Sequence, residues 1–117
     1  MRLVVLAASA FLLAPVAPAL ALDCPMAQPK AQPGILKETP AQIAQVGKTL
    51  AAGDTFNAIA SVTADLRIRY PGVEKAELVN YLVTAYCPAV AANNRLSEAQ
   101  KKSAVDSFAA QVMRQVY

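Results

Sequence analysis

Apolar residues follow two different patterns along this chain, and the change between them divides it. Arg2 leads into an apolar run from Leu3 to about Val16, interrupted by Pro15 and closed by Pro18 and Ala19-Leu20-Ala21. A basic start, a short apolar stretch and a small-x-small ending make a secretory signal peptide, with cleavage expected after Ala21. The run is roughly 14 residues, short of the ~20 that a spanning helix needs, so a permanent anchor fits less well. A lipid-modified Cys24 fits poorly too, because Asp23 stands where a lipoprotein signal wants a small residue.

From Thr39 onward apolar residues recur every three or four positions, the period of helices with one buried face. The first predicted helix has Thr39 as N-cap, Pro40 at its start and Gln42 completing a capping box. Its stripe is Ile43, Val46 and Leu50, and Gly53 ends it. Asp54 caps a second helix with Phe56, Ile59, Thr63, Leu66 and Tyr70 on one face, stopped by Pro71-Gly72. A third begins near Val73 or Glu74. It carries Leu78, Tyr81, Leu82, Ala85 and Tyr86 on one face and Val79 and Val83 on another, the mark of a central helix. Pro88 is expected to kink or end it, with a further turn through Val90. After the polar Asn93-Asn94-Arg95, Ser97 and Gln100 form a second capping box. Val105, Phe108, Ala109, Val112 and Val116 then keep the helical period to the end.

The expected fold is therefore all-α: a small four-helix bundle-like domain over residues 39–117, with short loops and largely antiparallel neighbours. Residues 22–38 hold Pro25, Pro29, Pro33 and Gly34 and no apolar period, which predicts an extended Pro-rich arm. Cys24 and Cys87 are the only cysteines, and in an exported chain they are expected to form one disulfide stapling arm to bundle. Without residues 1–21 the chain keeps 96 of its 117 residues, one domain with a light core that gains much from such a staple.

Composition removes functions more than it adds them. Of eleven Lys and Arg only Arg2 leaves with the leader, so ten face eight Asp and Glu; this mild charge argues against nucleic acid. No second stretch has spanning length without charges, so no stable membrane insertion is expected once the leader is cut. The chain has no histidine, which removes the commonest general base and transition-metal ligand. No glycine-rich phosphate loop and no haem-attachment motif occur either. Neither enzyme activity, cofactor nor metal is expected. The pairs Cys24-Pro25 and Cys87-Pro88 resemble thiolate haem contacts, but a disulfide would consume both thiols.

Two surface features remain as candidates. Arg67, Arg69, Tyr70 and Lys75 cluster around the second turn and form the candidate partner-binding patch, although basic residues in a last helical turn also serve its dipole. Tyr70, Tyr81 and Tyr86 are candidates to line a small apolar site, or to be core residues with outward hydroxyls. In layout the chain resembles the small acid-stress chaperones of the bacterial periplasm: a signal peptide, a helical domain of similar size and one long-range disulfide. It lacks the tryptophan that those proteins carry before their first cysteine, so no residue role is carried over. The expected function is that of an exported, periplasmic or secreted, helical protein working by contact with a protein partner. The alternatives are an acid-activated chaperone and a carrier of a lipid or other small apolar ligand.

Overall fold

The structure, a computed structural model, describes residues 22–24 and 36–117. The expected signal peptide and most of the expected arm, residues 25–35, lie outside the described residues. Four helices follow one another: α1 (Pro40–Ala51), α2 (Thr55–Arg69), α3 (Lys75–Ala91) and α4 (Glu98–Val116). Among the described residues there is no strand, as the helical period requires.

The helix starts are set by the caps legible in the sequence. Thr39 Oγ1 accepts from Gln42 N–H at 3.1 Å, while Thr39 N–H donates to Gln42 Oε1 at 2.7 Å. Ser97 and Gln100 repeat the exchange at 3.1 and 2.8 Å. Asp54 Oδ1 accepts from Asn57 N–H at 3.1 Å. Each box satisfies backbone donors that the first turn of a helix otherwise leaves unpaired. The α2–α3 turn pivots on Gly72 at φ +88°, a backbone state that side-chain-bearing residues seldom take.

α3 forms the middle of the domain and buries Leu78, Tyr81, Leu82, Thr84, Ala85, Cys87 and Val90. α4 lies antiparallel along it: Lys75 approaches the Tyr117 ring, Tyr86 stacks on Phe108 and Lys101 reaches the Ala91 carbonyl. On its other side α3 packs most extensively against α1. These two are not chain neighbours, and they run in the same general direction: Glu38 meets Tyr81 and Gly47 meets Ala85. The approach is close at Gly47, where an added Cβ would sit 2.2 Å from the Ala85 carbonyl oxygen. Glycine is what lets the two backbones touch.

Two expectations need correction. Pro88 does not end the third helix: α3 continues through it to Ala91, with Ala92 N–H donating to the Pro88 carbonyl at 3.0 Å. Pro88 is exposed, its neighbours Cys87 and Val90 are buried, and this anchoring on both sides outweighs the lost hydrogen bond. Phe56 was assigned to the buried stripe of the second helix but is 58 % exposed. At the first turn of α2 it lies beyond the reach of the core that takes Ile59 and Leu66.

The expected staple is present. Cys24 and Cys87 are joined, with their Cα atoms 5.6 Å apart and a separation of 63 in sequence. The bond fixes residues 22–24 against α3, and it points to an oxidising, non-cytoplasmic setting. No helix among the described residues is long and apolar enough to cross a membrane.

Candidate functional site: a buried carboxylate and an outward helix face

The densest polar cluster forms where α1 begins and α2 ends. Glu38 directly precedes the Thr39 cap, and its side chain is only 2 % exposed. An isolated charge there would be costly, so the donors around it decide its state. Arg69 Nη1 donates to Glu38 Oε2 at 2.8 Å, and Tyr81 Oη donates to Oε1 at 3.0 Å. Tyr70 Oη lies 2.5 Å from Oε2 and 3.2 Å from the Lys37 carbonyl, and its single proton serves the shorter contact. Burial pushes the Glu38 carboxyl up, but the hydrogen bonds from Arg69, Tyr70 and Tyr81 and the guanidinium charge outweigh it. The group is held below the usual carboxylate range, ionised at neutral pH. Burial first, then the Glu38 carboxylate, raises both tyrosine hydroxyls above their ordinary value. One carboxylate thus ties the entry to α1, the end of α2 and the middle of α3.

This cluster takes two members of the expected basic patch. Arg69 is spent on Glu38 and, through Nε, on Asp65 at 2.8 Å, while Tyr70 is spent on Glu38. Lys75 sits 5.6 Å from the Tyr117 ring. Arg67 lines a groove along α2. The four residues therefore belong to three separate surroundings. Of the three tyrosines, Tyr81 turns its hydroxyl inward to Glu38, and Tyr86 lies flat on Phe108 at 3.8 Å between ring centres. Reading acids by their places at helix starts passes over Glu38. Its partners lie 31 to 43 positions away, and nothing local marks the meeting.

A second polar cluster lies beside the disulfide. Leu22 N–H donates to Glu98 Oε1 at 3.0 Å. Lys101 Nζ donates to Glu98 Oε2 at 3.1 Å and to the Ala91 carbonyl at 2.8 Å, closing the end of α3. Lys101 is 8 % exposed, unusual for a lysine, and its ammonium is held by the Ala91 carbonyl and the Glu98 carboxylate. The Leu22 hydrogen bond, and then Lys101, hold the Glu98 carboxyl below its ordinary value.

The outward side of the domain differs. Ile68 is 76 % exposed, and Met113 on α4 and Tyr117 at its C-cap also face outward. Ile59, Ala60, Thr63, Ala64 and Arg67 of α2, with Gln115 of α4, line an open groove of about 190 Å³. Gln115 Nε2 donates to the Phe56 carbonyl at 3.1 Å. The Thr63 hydroxyl and the Gln115 side-chain oxygen are buried with no partner in the structure. Compared with known protein families, curated proteins and solved structures, the chain matches none of them.

Proposed function

We propose that the protein is a small exported, non-enzymatic helical domain that acts by contact with a protein partner. In this reading residues 1–21 are a signal peptide cleaved after Ala21, and the product is periplasmic or secreted. The disulfide supports the compartment. The observation that carries the partner reading is the exposure of four large apolar side chains: Phe56 and Ile68 on α2, Met113 on α4 and Tyr117 at its C-cap. Ile68, two positions from the fully buried Leu66, points to the opposite side of α2 and is exposed. Large exposed apolar side chains suit contact with a protein surface rather than with a small substrate. At about 190 Å³ the groove is below the ~300–1,000 Å³ of typical ligand sites, which gives a carrier little support.

The test is a Phe56→Ser/Ile68→Ser double variant exported in the producing cell. It is expected to keep helix content and urea midpoint while losing a partner that crosslinks to the wild-type protein. An unchanged crosslinked product would contradict the reading.

One observation favours a second reading, the acid-activated chaperone. Glu38 is a single buried carboxylate joining three helices, and its protonation would remove the charge that Arg69 pairs with and weaken the acceptor that Tyr70 and Tyr81 share. Its pKa is held below the usual carboxylate range, so the cluster keeps its charge until pH falls below that range. Suppression of client aggregation near pH 2–3, with loss of fixed tertiary packing, is expected on this reading. A fully packed monomer with no such activity at that pH would exclude it.

A further inference from the structure

We propose that the Glu98 carboxylate is a receptor for the α-amino group that removal of residues 1–21 creates at Leu22, so that processing completes this end of the domain. The inference rests on the signal-peptide reading above. The nitrogen that cleavage would free is already 3.0 Å from Glu98 Oε1, although 76 positions separate the residues. Two residues later the Cys24–Cys87 bond fixes the segment to α3, so the nitrogen is held in place. The carboxylate is also set in advance. Its other oxygen is bound by Lys101 Nζ at 3.1 Å, and that ammonium is anchored by the Ala91 carbonyl at 2.8 Å.

Cleavage changes what stands at this position without moving it. An internal Leu22 offers Glu98 one hydrogen and no charge. A free Leu22 offers three hydrogens and a positive charge, and such charge-assisted bonds are roughly twice as strong as neutral ones. Glu98 is also the first residue of α4, where its negative charge suits the helix dipole. One side chain thereby joins the new terminus, the end of α3 through Lys101, and the start of α4.

The test uses the protein exported from its full-length gene. Intact mass reports where the chain begins, and limited acetylation at neutral pH reports how reactive the Leu22 α-amine is. Only the neutral amine reacts, and an α-amine normally titrates near ~8, so a one-unit rise from the ion pair slows acetylation about tenfold. The expected result is a chain starting at Leu22 whose α-amine reacts about tenfold more slowly folded than in urea. Glu98→Gln should restore the fast rate while the exposed Lys37 and Lys48 react unchanged. A chain starting at Leu22 with equal folded and unfolded rates would overturn the capture and leave the signal peptide standing. This comparison needs no variant, so it decides even if Glu98→Gln unfolds. A chain starting elsewhere would overturn both.

Discussion

α2 and α3 have similar lengths, 15 and 17 residues, but α3 carries more apolar residues and places them differently. α3 buries seven residues, spread around its circumference, against α1 on one side and α4 on the other. α2 buries only Ile59, Thr63 and Leu66, and leaves Phe56 and Ile68 outside. A helix covered on two sides must be apolar on two sides, and α3 has no surplus. α2 covers the domain from one side and keeps apolar residues that its fold does not use. The difference teaches where to look: the scaffold is α1, α3 and α4 with their staple, and unspent apolar surface is concentrated on α2 and the end of α4.

That contrast can be broken by mutation, beginning with what should cost most. Removing the staple, by reduction or by Cys24→Ser with Cys87→Ser, is expected to lower stability by about 4 kcal/mol in the chain-entropy model for this separation. Urea unfolding with and without reductant measures it. Leu82→Ala on α3, with its side chain fully buried, should cost about 3 kcal/mol by the same method. A loss under ~1 kcal/mol at either site would deny α3 its place at the centre.

Glu38→Gln comes next, at about 2 kcal/mol, because Arg69 loses its charge partner and both tyrosines face a weaker acceptor. The cost is held to this size because the Arg69 side chain is 38 % exposed and water compensates it in part. The variant also sharpens the pH response. Glu38 binds its proton less readily folded than unfolded, so its contribution is complete above about pH 5 and is lost as pH falls through the folded pKa. Stability of the wild type should fall below pH 4.5 more steeply than that of Glu38→Gln. Glu98 pulls in the same direction in both proteins, so their difference isolates Glu38. Parallel pH profiles would remove the carboxylate from its role.

The smallest effect belongs to α2. Ile68→Ala should change stability by less than about 0.5 kcal/mol, since the side chain leaves little water on folding. A loss near that of Leu82→Ala would show that Ile68 is packed against something and end the contrast.

What the sequence disclosed and what it hid follow one physical division. Caps act within three residues, so Thr39–Gln42, Asp54 and Ser97–Gln100 were readable and set three helix starts. Periodicity reports one face of one helix, and it placed Leu50, Leu66, Leu82 and Val112 in the core. It failed at Phe56, because a helix end can keep the period after the core beneath it has run out. It failed at Pro88, because buried neighbours held a backbone that local chemistry would have broken. The polar clusters were out of reach altogether. Glu38 finds Arg69 and Tyr81, and Leu22 finds Glu98, only after the helices have packed. The surroundings of the basic patch were out of reach in the same way, since an acid outside the segment pairs with Arg69 and Tyr70.

The measurement that tests the central claim most directly is site-specific photocrosslinking of the exported protein in the producing cell. A photoreactive residue is placed at Ile68 on α2 and, in a separate protein, at the exposed Lys102 on α4. The predicted result is a discrete heavier adduct from position 68 and none from position 102. No adduct at 68, or the same adducts from both positions, would contradict the claim that the unspent apolar surface of α2 is there to be met by a partner.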